Sequence, residues 1–132
     1  MEWIETTFYV RYAETDAMGV VHHSTYIVWF EEGRSHYLRS RGSNYADLEG
    51  DGYFLAVSEV EARYLAPARY GQQVTVRARL ESLRSRSISL QYEVVEATSE
   101  TVLVTGRTKH VCIDGRGQVV TIPAEWRRRL AG

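Results

Sequence analysis

An isolated aspartate precedes the first long helical pattern of the sequence. Asp16 lies in the stretch YAETDAMGVVHHSTYIVWFEEGR, residues 12–34, which also holds Gly19 and the adjacent histidines His22 and His23. In a turn such as ETDAMG, an aspartate most often caps a short helix or bonds its own backbone. Beside the start of a buried helix, however, free N–H groups and the helix dipole also favour a developing oxyanion. An acid in such a place is typical of a hydrolase.

Patterns for other chemistries are weak. The sequence has no phosphate-binding loop, no GxGxxG, GxSxG or HExxH motif and no paired cysteines. A nucleophilic Ser24 or Ser35 would need an exposed strand-to-helix elbow, which the pattern does not predict. No two of the four histidines have the i, i+4 spacing that puts two ligands on one helix face, so we expect no metal site. Cys112 lies in the apolar stretch KHVCI and is interpreted as a core residue.

Composition predicts one soluble domain covering residues 1–132, with 44% hydrophobic and 25% charged residues. The net charge of −1 gives no reason to expect nucleic acid or an anionic membrane as a partner. A single cysteine suits a reducing compartment. The first residues, MEWIETTFYV, lack a secretory pattern, and no apolar run is long enough to span a bilayer. We therefore expect a cytoplasmic protein without membrane insertion.

A strand and a long helix surround the aspartate. Alternation in TTFYVRY, residues 6–12, predicts the first strand, and Ser24 is a candidate N-cap for a helix that runs to about Arg41. The first turns of this helix, TYIVWFEEG, are apolar almost all round, which predicts burial on most sides. Gly33 lies inside the helix and indicates close packing there, while Gly42 fits the position after its end.

The remaining sequence predicts four strands and a short final helix. The strand patterns are FLAVSEVEARYLAPARY closed by Pro67, then QVTVRARL, SISLQYEVV and TVLVTGRTKHVCI. The turn DGRGQ and the segment PAEWRRRL follow, with Pro123 suited to a first helical position. Short connections favour antiparallel hairpins, so we predict an α+β fold in which one curved sheet of five strands wraps one central helix. Its exposed edges favour a dimer with a continuous sheet.

The stretch ETDAMGVVHHSTY, the later EARYLAPARYGQQV and the order of elements resemble the hotdog-fold acyl-CoA thioesterases of the 4-hydroxybenzoyl-CoA thioesterase type. The resemblance is strongest to the Tol-Pal-associated branch, whose motif reads much like ETDAGGVVYHASY, and dihydroxynaphthoyl-CoA thioesterases look similar in the same region. Met18 and His22 depart from the usual residues of that motif. Both lie in or beside the expected acyl pocket, so they bear on the choice of acyl group.

The resemblance implies an enzyme that hydrolyses acyl-CoA to a free acid and coenzyme A, works as a dimer or homotetramer, and needs no cofactor, because coenzyme A is part of the substrate. Asp16 matches the catalytic aspartate, as nucleophile or general base. The backbone N–H of His23 matches the donor that polarises the thioester carbonyl, and its imidazole is a second candidate. From the same motif we assign Gly19, Val20 and Tyr26 to substrate binding.

Coenzyme A carries phosphates, and arginines are frequent along residues 63–86. Guanidinium groups bind phosphate well. The candidates for this contact include Arg63, Arg69 and Lys109, and also Arg84, Arg86 and Arg107.

Two alternatives stay open at this stage. One is a non-catalytic module that holds acyl-CoA, and the other is a hotdog dehydratase or hydratase. Glu31 and Glu32 lie on the helix where some hotdog enzymes carry an acid, but the motif differs from theirs and we interpret both as structural.

Overall fold

The computed structural model describes residues 2–132, which form five strands and three helices. Strands β1 to β5 cover Ile4–Tyr9, Tyr53–Tyr64, Gln73–Leu83, Ser87–Glu96 and Val102–Asp114, and helices α1 to α3 cover Thr25–Ser40, Tyr45–Gly50 and Ala124–Ala131. A short 3-10 turn at Tyr12–Glu14 follows β1. The strands make one antiparallel sheet in the order β1-β3-β4-β5-β2, with α1 packed on one face. This confirms the predicted α+β class.

The alternation of side chains along the central strands decides which face of the sheet covers the helix. On β3, Val74, Val76 and Ala78 are fully buried, while Arg77 between them points to the opposite face. This alternation confirms the predicted period of two for the strand. Burying such apolar surface stabilises the fold by about 25 cal/mol per Å².

Helix α1 is buried on one side only, which corrects the expectation of burial on most sides. Its buried residues recur every three or four positions: Tyr26, Trp29, Phe30, Gly33, Arg34, Tyr37 and Leu38. Val28 is 59% exposed, although it lies in the apolar first turns. The sheet of one chain curves around a single face of the helix, so apolar residues of the other face remain open to solvent.

Two glycines let α1 lie close to the sheet. A Cβ on Gly33 would come within 2.8 Å of the Val76 Cγ1 atom, which confirms the predicted need for a missing side chain in the helix. Gly106 on β5 performs the same role from the sheet, because a Cβ there would lie 2.7 Å from the carbonyl oxygen of Glu61 and against the ring of Phe30. The sequence pattern did not single out Gly106.

Several predicted boundaries differ from the structure. Strand β1 begins at Ile4 and ends at Tyr9, because the chain then turns into the 3-10 segment that contains Tyr12. Pro123 is the N-cap of α3 rather than its first helical residue. Helix α2 was not predicted, although Asn44 caps it by accepting a bond from the Asp47 N–H at 2.8 Å.

Strand β2 forms an edge of the sheet and carries exposed apolar side chains. Val57 and Tyr64 are about half exposed, and Leu65 just beyond the strand is 55% exposed.

No helix within residues 2–132 combines the length and apolar character needed to cross a bilayer.

The close approach at Gly106 yields a test of the fold. Gly106→Ala should lower the free energy of unfolding by about 3 kcal/mol, because the new methyl group meets both backbone and a buried ring. Gly50→Ala is the matched control, since no atom lies within 4 Å of its Cβ position, and it should change stability by less than about 1 kcal/mol. Urea unfolding measures both values. Equal stability of the two variants would contradict this account of how the helix is seated.

Candidate active site

Asp16 closes a tight hairpin between the 3-10 turn and α1. Its backbone N–H donates to the Val20 carbonyl at 2.9 Å, and the Gly19 N–H donates to the Asp16 carbonyl at 3.0 Å. The Oδ1 atom accepts bonds from the Met18 N–H at 2.8 Å and the Val20 N–H at 3.4 Å. Gly19 has a φ of +77°, which glycine adopts without strain. The turn-forming interpretation of Asp16 is thus correct, and it leaves Oδ2 without a hydrogen bond within residues 2–132.

A second hairpin of the chain repeats this turn. Asp114 Oδ1 accepts bonds from the N–H groups of Arg116 and Gln118 at 2.8 and 3.0 Å. The backbone bonds match as well. The Asp114 N–H donates to the Gln118 carbonyl at 2.9 Å, and the Gly117 N–H donates to the Asp114 carbonyl at 3.0 Å. The turn geometry therefore gives no evidence that Asp16 is catalytic, and any chemical role depends on its surroundings.

Glu14 ties the base of the Asp16 hairpin to the helix. Its Oε1 accepts from the Arg11 N–H at 2.8 Å, and its Oε2 accepts from the Arg11 guanidinium at 2.9 Å and from the Trp29 indole N–H at 2.7 Å. Partial burial alone would raise the pKa of Glu14, but these bonds outweigh burial and lower the pKa below its usual value. The carboxylate form therefore holds the hairpin against α1 at neutral pH.

The start of α1 differs from the predicted serine cap. Ser24 is the N-cap residue, but its hydroxyl makes no capping bond to the helix. Instead His22 Nδ1 accepts a bond from the Ser24 N–H at 3.2 Å and lies 2.8 Å from the Ser24 hydroxyl. Because Nδ1 is an acceptor here, the ring proton of His22 is assigned to Nε2. The imidazole therefore accepts from the N–H of Ser24 itself, whereas the predicted cap would have accepted from an N–H within the first turn of the helix.

His23 follows directly and has a free backbone donor. The backbone groups around it are paired. The Thr25 N–H donates to the His22 carbonyl at 2.9 Å, and the His22 N–H donates to the Glu14 backbone carbonyl at 3.0 Å. The His23 N–H makes no hydrogen bond with any of residues 2–132. On its other side, the Tyr64 hydroxyl donates to the His23 carbonyl at 3.0 Å. A donor next to a helix start, held in place but unused, suits an incoming anion.

An apolar cavity opens beside this donor. It has a volume of about 280 Å³ and is lined by Val21, His23, Tyr26, Tyr64, Leu65, Ala66 and Pro67. Tyr26 fixes one wall, because its buried hydroxyl accepts a bond from the Ala68 N–H at 3.0 Å. The rings of Tyr26 and Tyr64 lie 5.6 Å apart between centroids. The size and lining suit a small apolar group, such as the acyl part of a thioester.

The hairpin separates the carboxylate from the free donor. Asp16 lies opposite Val20 at the hairpin tip, whereas His23 follows the residue that pairs with Glu14 at its base. The extended chain between Val20 and His23 covers roughly 10 Å. The backbone of Asp16 is therefore separated from that of His23 along the hairpin.

The predicted phosphate-binding residues fall in different places. Arg69 pairs with Val20 across an isolated bridge and so lies beside the Asp16 hairpin. Arg63 lines a groove of about 480 Å³ on the sheet face opposite α1, together with Trp3 and Arg79. Lys109 lies on β5, in register with Ser89 and Glu59.

Several other arginines of the sheet are engaged in ion pairs and stacking. Arg77 pairs with Glu5 and Glu93, and Arg107 pairs with Glu61 and Glu81. Arg79 stacks on Trp3.

Sequence reasoning missed three residues that shape the site, namely Glu14, His22 as a cap, and Tyr64. Glu14 precedes the aspartate by two positions and had no recognisable pattern. Tyr64 lies far away in the chain, so only the fold brings it to His23.

Cys112 is fully buried, and burial raises the pKa of its thiol, which agrees with the predicted core role.

Comparison with known proteins identifies a family and a curated relative. The family model for the Thioesterase-like superfamily matches residues 10–130. The Bacillus subtilis protein named "Putative acyl-CoA thioesterase YneP" is 32% identical over 105 residues, which cover 80% of this chain and 75% of YneP.

Two solved structures share the hotdog fold. A hypothetical protein from Thermus thermophilus, TT1821, is 41% identical, with a TM-score of 0.90 and 96% of each chain covered. A DHNA-CoA thioesterase from Staphylococcus aureus is 28% identical, with a TM-score of 0.93, covering 99% of this chain and 90% of the other.

Proposed function

The chain belongs to the Thioesterase-like superfamily, and from this premise we propose that it hydrolyses an acyl-CoA thioester to a free acid and coenzyme A. The names of similar proteins support a thioester substrate, since one is called an acyl-CoA thioesterase and another a DHNA-CoA thioesterase. Within the superfamily we place the chain nearest the 4-hydroxybenzoyl-CoA thioesterase type and its Tol-Pal-associated branch, on the strength of the motif ETDAMGVVHHSTY.

One observation carries the proposal, namely the unused N–H of His23 beside an apolar cavity at the start of α1. When the thioester carbonyl is attacked, negative charge develops on its oxygen. A preorganised N–H at that oxygen stabilises the transition state by about 2.7–4 kcal/mol. The positive end of the α1 dipole acts in the same direction. In this mechanism the acyl group occupies the cavity between Tyr26 and Tyr64.

Asp16 supplies the base in this mechanism. Its Oδ2 is free of hydrogen bonds from residues 2–132, while Oδ1 holds the turn. The carboxylate takes a proton from water as the water oxygen attacks the thioester carbon, and the carbon–sulfur bond then breaks to release the thiolate of coenzyme A. Direct attack by Asp16, with a mixed anhydride as intermediate, is the alternative route. We favour the water route, in which the carboxylate needs to reach only the attacking water.

Coenzyme A contacts follow from charge and position. Arg69 lies beside the Asp16 hairpin and makes no ion pair within residues 2–132, so its guanidinium is available to a phosphate. Gly19 and Val20 complete this edge of the site through their backbone. Arg63 and Lys109 lie farther out on the sheet and are proposed to act on the nucleotide end of coenzyme A.

Self-association is part of the proposal. Exposed apolar side chains on the β2 edge, such as Val57 and Tyr64, favour pairing with a second copy of the chain. We propose a dimer that pairs into a homotetramer in the cytoplasm, with no cofactor beyond the coenzyme A of the substrate.

The role of Asp16 is tested by Asp16→Asn. An asparagine keeps an oxygen for the Met18 and Val20 N–H groups, so the turn should survive, while proton abstraction is lost. Thiol release over a panel of aliphatic and aromatic acyl-CoAs should fall about 10²–10⁴-fold on the best substrate.

Asp114→Asn is the matched control for this variant, because Asp114 closes a turn with the same bonds. Both variants should melt within a few degrees of each other, and only Asp16→Asn should lose activity. Normal turnover by Asp16→Asn would remove Asp16 from the mechanism. Tight acyl-CoA binding without thiol release by the wild type would favour the binding module instead.

The backbone donor is tested by His23→Pro beside His23→Ala. Proline removes the N–H, and because that N–H bonds to no other group of residues 2–132, the fold loses no hydrogen bond. We expect kcat to fall about 10²–10³-fold in His23→Pro. His23→Ala keeps the N–H and should retain most of kcat, and circular dichroism verifies folding of both. If alanine and proline reduce kcat equally, the imidazole rather than the N–H is the active group.

A further inference from the structure

Two consecutive peptide groups form the entry to α1. The first joins His22 to His23, so it comprises the His22 carbonyl and the His23 N–H, which makes no hydrogen bond with residues 2–132. Its carbonyl accepts a bond from the Thr25 N–H at 2.9 Å. A trans peptide is planar, with the C=O and the N–H on opposite sides. The bond to the carbonyl therefore also sets the direction of the free His23 N–H.

Two side chains hold the second peptide group, which joins His23 to Ser24. The Tyr64 hydroxyl donates to its carbonyl at 3.0 Å, and its N–H donates to His22 Nδ1 at 3.2 Å. The His22 ring also lies against the ring of His23, with centroids 4.3 Å apart. A peptide plane bonded at both of its polar atoms cannot rotate without losing both bonds. The backbone of His23, which lies between the two groups, is therefore restricted on either side.

Both of these side chains are accessible to water. His22 is exposed, and Tyr64 is 48% exposed. Because water can replace either bond, the two bonds add little to the free energy of unfolding. Their effect is on direction instead, since a water molecule does not connect the peptide to the rest of the fold. His22 lies at the base of the Asp16 hairpin and Tyr64 at the end of β2, so the peptide is fixed relative to both.

We propose that His22 and Tyr64 are positioning residues for thioester hydrolysis. They hold the His23–Ser24 peptide so that the neighbouring His23 N–H points at the thioester oxygen while negative charge develops on it. The inference rests on the proposed function, because it assigns roles within the same reaction. Neither side chain contacts the reacting atoms in this mechanism. A donor displaced by about 1 Å stabilises the transition state much less, and such displacements cost up to about 10²-fold in rate.

Steady-state kinetics of four variants test the proposal. His22→Leu removes the acceptor, and Tyr64→Phe removes the hydroxyl but keeps the ring. Each should lower kcat about tenfold and change KM less than about threefold. His22→Asn should restore most of kcat, because an asparagine oxygen accepts from the N–H two residues later in the chain. Tyr70→Phe is the control and should keep the wild-type kcat, since Tyr70 is 62% exposed and its ring packs against Tyr12.

Three kinetic outcomes would overturn the proposal. A higher KM at unchanged kcat would mean that the two side chains bind the substrate rather than position the donor. Equal losses of kcat in His22→Asn and His22→Leu would mean that the bond to the Ser24 N–H is not what matters. Thermal unfolding of every variant should give a Tm within a few degrees of the wild type. A loss of kcat that is explained by unfolded protein would indicate a purely structural role.

Nuclear magnetic resonance of the wild type labelled with ¹⁵N-histidine tests the bonds without turnover. At about pH 8, where imidazole is neutral, the His22 resonances, assigned by their absence in His22→Leu, should show an unprotonated Nδ1 and a protonated Nε2. A proton on Nδ1 would prevent the bond to the Ser24 N–H and overturn the inference even if the enzyme is active. If the wild type releases no thiol from any acyl-CoA, the proposed function fails and the positioning role with it, whatever the state of Nδ1.

Discussion

Helix α1 can position an active site only because it lies unusually close to the sheet. Gly33 on the helix and Gly106 on β5 each leave room for the other element, and the ring of Phe30 occupies the space over Gly106. There Phe30 stacks on Tyr92 with ring centroids 4.6 Å apart. This close packing sets the position of the helix start relative to the sheet. The Tyr64 hydroxyl on β2 can therefore donate to the His23 carbonyl.

The entry to the helix is built so that one donor stays unused. His22 satisfies the Ser24 N–H from the side, Glu14 anchors the hairpin through Trp29, and the His23 N–H has no acceptor within residues 2–132. His23 is exposed, and in the proposed mechanism its unused N–H receives the thioester oxygen.

The sequence alone could predict those features that depend on local chemistry. Alternation predicted the strands, and the positions of Gly33 and Gly42 followed from packing and from a left-handed backbone at the helix end, where the φ of Gly42 is +70°. Asp16 was correctly read as a turn former, but the turn at Asp114 has identical bonds, so only the motif distinguished the two. The contact of Tyr64 with the site could not be predicted, because it joins distant parts of the chain. The sequence did not predict that α1 is buried on one side only. Apolar residues on a helix do not indicate whether they pack against a sheet or remain exposed to solvent.

The central claim is that the backbone N–H of His23 polarises the thioester carbonyl. Isotope-edited vibrational difference spectroscopy measures this polarisation, with a ¹³C-labelled acyl-CoA bound to the inactive Asp16→Asn protein. The account predicts that the carbonyl stretch lies at a lower frequency than for the same thioester in water, and that this shift disappears when His23→Pro is added to the same protein. A carbonyl frequency equal to that in water, or a shift that persists without the N–H, would contradict the account.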